Sequence, residues 1–177
     1  MREKVILVDE NDLPIGEMDK LEAHQKNCLH RAFSIILWNS NNEMLIHQRA
    51  EGKYHSADLW TNTCCSHPRP GELSIDAAHR RLQEEMGIAT PLKHAFYFIY
   101  QTELENNLSE HELDHVFLGK FDGIPNINPE EAQDFRWVSL KGLQLEISLD
   151  PSKFTYWFRY ILAHFSVKIT PDFYESL

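Results

Sequence analysis

The segment from Ser74 to Met86, SIDAAHRRLQEEM, most restricts how this chain of 177 residues can fold. Its apolar side chains recur at intervals of three and four residues, the spacing of one face of an α-helix, and Gly87 follows as a helix stop. These apolar residues are Ile75, Ala78, Leu82 and Met86. Residues 74–86 are therefore predicted to form an amphipathic helix.

Strand-like runs lie on both sides of this helix. Two long runs of aromatic and β-branched residues, 94–104 and 110–121, are joined by the polar sequence ENNLS. Shorter runs occupy residues 5–10, 32–38, 43–49 and 134–140, with the Asn-rich turn NSNN between the second and the third. Because these strands do not alternate regularly with helices, the expected fold class is α+β (α/β), a mixed sheet flanked by helices.

A second helix is predicted near the C-terminus. Asp150 and Pro151 are suited to be its N-cap and its first residue. An apolar stripe at helical spacing follows, consisting of Phe154, Trp157, Phe158, Ile161, Leu162 and Phe165. Residues 20–27, KLEAHQKN, are expected to form a short helix or a loop between strands.

Length and composition narrow the class of protein. A chain of this size fits one domain, so residues 1–177 are predicted to form a single domain. Three cysteines, two of them adjacent, cannot form a disulfide framework, and no segment is typical of a signal peptide or membrane span. A cytoplasmic protein is therefore expected. The net charge of −10 opposes nucleic-acid binding. Oligomeric state is left open by the sequence, and a monomer is compatible with it.

Candidate metal ligands occur in several segments. Glu110 and Glu112 are two residues apart in a predicted strand, so they point to one face, and two adjacent carboxylates require a cation, a shared proton or a solvated surface. His24, His30 and His67 add imidazoles from separate segments. Together they suit a five- or six-coordinate Mn²⁺, Zn²⁺ or Mg²⁺. Five other histidines are expected to be ordinary surface or core residues: His47, His55, His79, His94 and His164.

The sequence CCSH contains the candidate thiols. Neighbouring side chains of an extended segment point in opposite directions, so one of Cys64 and Cys65 is expected to face a pocket and the other to pack. A vicinal disulfide is disfavoured because it strains the intervening peptide. A nucleophile beside His67 and a pair of buried small hydrophobic residues both remain open on these grounds.

The segment GELSIDAAHRRLQEEMGI resembles a decayed Nudix box, a loop, helix and loop that surrounds Mg²⁺ and a diphosphate. Residues that fit the box are Glu72, Arg80, Glu84, Glu85 and Gly87. Ser66 stands where the family has glycine, and Arg81 stands where it has a glutamate that helps to hold the catalytic metals. The departure at Arg81 argues against diphosphate hydrolysis.

These departures, with TNTCCSHP, HRAF, HQRA and EHE, make the chain resemble the type 1 isopentenyl-diphosphate Δ-isomerases, a metal-dependent branch of the Nudix fold. The resemblance extends from about residue 5 to residue 157. It implies interconversion of isopentenyl and dimethylallyl diphosphate through a tertiary carbocation, with a small isoprenyl diphosphate as substrate. A Nudix hydrolase of a nucleoside or other diphosphate and a noncatalytic metal- or nucleotide-binding module are the alternatives.

The resemblance also implies residue roles. Cys65 and Glu112 match the acid–base groups on opposite faces of the substrate, and Tyr100 matches the hydroxyl partner of the glutamate. The implied ligands of a tightly bound Mn²⁺, Zn²⁺ or Mg²⁺ are His24, His30, His67, Glu110 and Glu112. Glu85 and the carbonyl of Cys65 match the site of a Mg²⁺ that also holds the diphosphate. The implied substrate contacts are Lys20, Arg49, Lys53, Ser66 and Trp157.

Overall fold

The apolar runs pair into a mixed sheet, seen in a computed structural model that describes residues 3–53 and 55–177. Within these residues the strands are β1 (Lys4–Val8), β2 (Pro14–Asp19), β3 (His30–Trp38), β4 (Glu43–Arg49), β5 (Trp60–Thr61), β6 (Cys64–Ser66), β7 (Leu92–Glu103), β8 (Ser109–Lys120) and β9 (Ala132–Ser139). The α-helices are α1 (Lys20–Lys26), α2 (Ser74–Met86), α3 (Leu140–Leu149), α4 (Tyr156–Phe165) and α5 (Pro171–Ser176). The predicted fold class, a mixed sheet flanked by helices, is confirmed.

Strand β8 lies between two partners that determine which residues meet at the centre of the sheet. It runs parallel to β3, where Glu112 is opposite His30, and antiparallel to β7, where Glu112 is opposite Tyr100. The short strand β6 adds to β3 in antiparallel register, so that Cys65 is opposite Ser34. Because directly opposed residues point to the same face, this register places His30, Glu112 and Tyr100 in one row.

Helix α2 has the predicted bounds and covers the other face of the central strands. Its buried residues Ala77, Ala78, Leu82 and Met86 pack in one apolar cluster with Ile35, Leu37, Leu45 and Cys64. Gly87 ends the helix in the left-handed conformation, with φ of 65°, and its N–H bonds the carbonyl of Gln83. A side chain is disfavoured there because a residue with a Cβ rarely adopts this conformation.

The predicted start of the last long helix at Asp150 and Pro151 is wrong. Residues Pro151–Lys153 form one 3₁₀ turn, the backbone becomes extended at Phe154, and α4 begins at Tyr156. The physical reason is hydrogen bonding to β5. The N–H of Thr155 donates to the carbonyl of Trp60, at 3.0 Å, and the hydroxyls of Thr155 and Thr61 are 2.9 Å apart. This hydrogen bonding interrupts the helix and leaves Trp157 on its first turn.

Several elements are not among the predicted strands and helices: the edge strand β2, the short strands β5 and β6, and the helices α3 and α5. Strand β2 is mostly exposed and lacks the apolar alternation that predicts a strand. Among the described residues, every helix is too short or too polar to cross a lipid bilayer.

We expect Gly87→Ala to lower the free energy of unfolding by about 1–3 kcal/mol, because it forces a strained backbone. A Cβ at this position would also lie 2.8 Å from the carbonyl oxygen of Asn126. Urea denaturation measures the change. Gly52→Ala is the matched control, since its Cβ meets nothing within 4 Å. Equal stability of the two variants would contradict this account.

Candidate active site

A pocket opens between the row containing Glu112, the loop after β4 and the first turn of α4. Eleven of the thirteen predicted site residues line it: Lys20, Arg49, Lys53, Cys65, Ser66, His67, Glu85, Tyr100, Glu110, Glu112 and Trp157. The remaining two, His24 and His30, lie against its carboxylates. The structure therefore brings together residues that are spread along the chain from Lys20 to Trp157.

The two carboxylates of β8 are buried, so the alternative of a solvated strand face is wrong. Glu110 and Glu112 are 2% and 7% exposed. The hydroxyl of Tyr100 donates to Oε2 of Glu112 at 2.6 Å, and Oε1 of Glu112 lies 2.9 Å from Nε2 of His67 and 3.6 Å from Nε2 of His30. Glu112 thus joins the predicted hydroxyl partner to two predicted metal ligands.

Backbone carbonyls orient the histidines towards the carboxylates. Nδ1 of His24 donates to the carbonyl of Lys20 at 2.7 Å, and Nδ1 of His30 donates to the carbonyl of Cys28 at 2.8 Å. These bonds direct each Nε2 into the cluster, where His24 Nε2 is 3.2 Å from Oε2 of Glu110. Metal-binding histidines are commonly oriented in this way.

The cluster fits a divalent cation. Donor atoms of His24, His30, His67 and Glu112 all lie within 4.8 Å of one another. Among the described residues, Nε2 of His30 and Oε2 of Glu110 are buried without a hydrogen-bond partner, which is costly unless another group satisfies them. A donor set of imidazoles and carboxylates can bind Mn²⁺, Zn²⁺ or Mg²⁺.

The electrostatics of the cluster agree with this fit. Burial, aided by the neighbouring charge of Glu112, raises the pKa of Glu110 to about 7. Burial also tends to raise the pKa of Glu112, but its contacts with the imidazoles of His30 and His67 hold it well below its usual range. Burial lowers the pKa of His67 to about 3, so its imidazole is neutral, as coordination requires.

The two adjacent cysteines have different surroundings. Cys64 is fully buried in the apolar cluster beneath α2, whereas Cys65 lines the pocket. The alternation of a strand produces this division, as predicted. Burial raises the pKa of the Cys65 thiol to about 12, so the group is a protonated thiol at neutral pH. A neutral thiol can donate a proton but is a poor nucleophile.

Cationic side chains gather at the other end of the pocket. Lys53 and Arg81 both pair with Glu131, and Arg81 also contacts Oε1 of Glu85 at 2.6 Å. The guanidinium of Arg49 lies 5.3 Å from the ring centroid of Trp157. Other predicted contacts here are Lys20, which pairs with Glu3 at 3.1 Å, and the buried Ser66. This end of the pocket therefore suits an anionic group.

The remaining residues of the Nudix-like segment are divided between structure and site. Glu72 lies outside the pocket and accepts two hydrogen bonds from Arg80, at 2.7 and 2.8 Å, and one from the N–H of Arg69. Glu84 pairs with Arg80 and Arg81 and is also outside the pocket. Glu85, by contrast, is 4% exposed and faces it.

Sequence reasoning missed several residues of the pocket wall. His55, taken for an ordinary residue, is buried with Nε2 at 3.6 Å from Oε1 of Glu110. His47 and Glu131 also line the pocket. No spacing pattern marks these residues, because each reaches the site from a loop or a neighbouring strand through the tertiary fold alone.

Comparisons with known proteins agree with this geometry. A family model described as the NUDIX domain matches residues 29–158. "Isopentenyl-diphosphate Delta-isomerase 2" of Aromatoleum aromaticum is 51% identical over 157 residues, covering 89% of this chain and 83% of that protein. "Isopentenyl-diphosphate Delta-isomerase" of Pectobacterium atrosepticum is 46% identical over 173 residues, covering 98% and 94%. The chain belongs to the isopentenyl-diphosphate Δ-isomerase family.

Two solved structures share the fold of this chain at much lower sequence identity. The crystal structure of DR0079 from Deinococcus radiodurans has a TM-score of 0.70 at 18% identity, covering 84% of this chain and 90% of that one. The MutT protein from Methanosarcina mazei has a TM-score of 0.65 at 20% identity, covering 79% and 94%. These likenesses concern the fold alone.

We expect Mn²⁺ or Zn²⁺ to stabilise chelator-treated protein, because a ligand that binds only the folded state raises the free energy of unfolding, by about 2.7 kcal/mol at a hundredfold excess over Kd. Thermal unfolding with and without the metal measures the gain. His30→Gln is expected to lose most of it. His47→Gln, which removes a buried histidine bonded to the carbonyl of Thr63, is the control. An undiminished gain in His30→Gln would exclude His30 as a ligand.

Proposed function

We propose that this protein interconverts isopentenyl and dimethylallyl diphosphate by adding a proton to one carbon of the substrate and removing one from another. The observation that carries the proposal is one pocket lined by a protonated thiol, Cys65, and a buried carboxylate, Glu112, with the aromatic ring of Trp157 beside them. The family names support it. We also propose that residues 1–177 act as one domain, with a small isoprenyl diphosphate rather than a nucleic acid as partner.

Cys65 and Glu112 act on opposite faces of the C5 chain in this proposal. Protonation of the alkene leaves a tertiary carbocation, and loss of a proton from the adjacent carbon forms the isomeric double bond. The 2.6 Å hydrogen bond from Tyr100 to Glu112 offers a route for the proton on the carboxylate side. The ring of Trp157 stabilises the positive charge that develops between the two groups.

The metal ligands have a supporting role. His24, His30, His67, Glu110 and Glu112 are proposed to hold one divalent cation, Mn²⁺, Zn²⁺ or Mg²⁺, which when bound offsets the negative charge of the paired carboxylates. Glu85 and the carbonyl of Cys65 are proposed to hold a Mg²⁺ together with the diphosphate. Binding to the cation of the histidine and glutamate cluster would hold Glu112 in place and orient its carboxylate towards the substrate.

The cationic end of the pocket is proposed to bind the diphosphate. Lys20, Arg49 and Lys53 carry the opposite charge, and Ser66 adds a hydroxyl donor. Because the diphosphate does not react, its binding energy serves to position the C5 chain between the acid–base groups. The buried walls around Cys65 and Tyr100 exclude water, which would otherwise capture the carbocation as an alcohol.

We expect Cys65→Ala and Glu112→Gln each to lower turnover by roughly 10²–10⁴-fold, the contribution typical of an acid–base group. The assay incubates isopentenyl diphosphate with the metal-loaded enzyme in D₂O and follows deuterium in both isomers by mass spectrometry. Cys64→Ala is the matched control, since this neighbouring thiol packs in the core, and it is expected to retain most of the activity.

Two results would contradict the proposal in different ways. Full activity of Cys65→Ala or Glu112→Gln would overturn that residue's role and leave the activity standing. Absence of deuterium incorporation by the wild-type enzyme, with release of phosphate from nucleoside diphosphates, would replace the isomerase with a hydrolase.

For the aromatic wall, we expect Trp157→Leu to lower kcat about thirtyfold, because a desolvated cation–π contact contributes about 2 kcal/mol. Trp157→Phe keeps a π-face and is expected to retain most of kcat. Steady-state kinetics separates this effect from diphosphate binding, since KM should change little in either variant. Equal losses in both variants would show that Trp157 acts by packing alone.

A further inference from the structure

His55 occupies a buried position beside the carboxylate cluster that neither the sequence motifs nor the family names account for. It lies in the connection between β4 and β5 and is 6% exposed. Its Nε2 is 3.6 Å from Oε1 of Glu110, whose other oxygen is 3.2 Å from Nε2 of His24. Donor atoms of His24, His55 and Glu110 all lie within 4.8 Å of one another. Three potential ligands therefore share this corner of the pocket.

The backbone around His55 is strained and firmly held. Ser56 and Asp58 adopt left-handed conformations, with φ of 50° and 63°, which are unfavourable for residues that carry a Cβ. Arg49 donates to the carbonyl of Ser56 at 3.0 Å and to that of His55 at 3.2 Å, and the N–H of Ser56 donates to Oε1 of Glu105. Such strain persists only where surrounding contacts maintain it, and here it directs an imidazole inward.

The imidazole of His55 is oriented for coordination. Its Nδ1 lies 3.3 Å from Oγ of Ser56, which leaves Nε2 as the atom facing Glu110. Nε2 of His55 is therefore placed to bind a cation shared with Glu110.

The spacing between the ring and the carboxylate agrees with that of two ligands of one cation. A distance of 3.6 Å between Nε2 of His55 and Oε1 of Glu110 exceeds that of a hydrogen bond. Two atoms that bind the same ion at about 2 Å each lie roughly 3–4 Å apart, depending on the angle between them at the ion. The pair is thus spaced as neighbouring ligands are.

We propose that His55 is an additional ligand of the divalent cation held by the histidine and glutamate cluster. This inference rests on the metal site of the proposed function and extends it to six donor residues: His24, His30, His55, His67, Glu110 and Glu112. A fourth imidazole shifts the preference of the site towards Zn²⁺, which imidazole suits, and away from Mg²⁺, which favours oxygen ligands.

The first test compares metal affinity in full-length, chelator-treated protein. His55→Gln is expected to raise the Kd for Zn²⁺ and Mn²⁺ by roughly tenfold or more, the loss typical when a group of a metal site is removed. The Kd for Mg²⁺ should rise less. His47→Gln is the control, because His47 is equally buried in the same pocket wall but belongs to neither group of potential ligands, and its metal affinity should be unchanged.

The second test observes the imidazoles directly. In wild-type protein labelled with ¹⁵N-histidine, Zn²⁺ binding should shift the Nε2 resonances of four imidazoles, with the His55 resonance assigned by its loss in His55→Gln. Three shifted imidazoles and an unchanged affinity in His55→Gln would overturn the inference while leaving the cluster as a metal site. Failure of wild-type protein to bind Zn²⁺ or Mn²⁺ at all would overturn both the site and the inference, whereas isomerase activity is decided separately by deuterium incorporation.

Discussion

The pairing of β8 with β3 on one side and β7 on the other is the constraint on which the site depends. One register places Glu112 directly opposite His30 in the parallel pair and opposite Tyr100 in the antiparallel pair. A shift of one residue in either pairing would turn Glu112 to the other face of the sheet, where α2 packs. The tightly packed cluster beneath α2 therefore protects the register, and through it the position of a carboxylate that no local motif could fix.

The same register concentrates negative charge in a buried space, and the rest of the pocket compensates for it. Glu110, Glu112 and Asp114 all point to one face of β8, and all are at most 7% exposed. Burial raises the pKa of Asp114 well above its usual range, and Ser34 donates a hydrogen bond to it. A bound cation would offset the charge of the first two carboxylates. Because the charge of two carboxylates would be offset by a cation and the third carboxyl group has a raised pKa, one strand can bury three acidic residues.

Much of the fold and site followed from sequence because local patterns and motif spacing carry that information. The bounds of α2 and the opposite orientations of Cys64 and Cys65 depend only on periodicity along the chain. The predicted start of α4 was wrong because Thr155 hydrogen-bonds to Trp60, which is distant in sequence. This contact overrides the favourable N-cap sequence at Asp150 and Pro151. His55 was missed for a related reason: its loop is shaped by long-range bonds and left-handed residues that composition does not reveal.

Arg81 shows how a Nudix frame can accommodate chemistry other than hydrolysis. Its Nη2 atom contacts Oε1 of Glu85 at 2.6 Å and Oε1 of Glu131 at 2.8 Å. A guanidinium neutralises both carboxylates but cannot ligate a cation, so fewer oxygen ligands are left at this end of the pocket than a glutamate would provide. In our proposal Glu85 still shares one Mg²⁺ with the diphosphate, whereas the tightly bound cation lies among the imidazoles and carboxylates around Glu112. In our proposal the diphosphate is then bound as an anchor, while the reacting carbons lie beside Cys65.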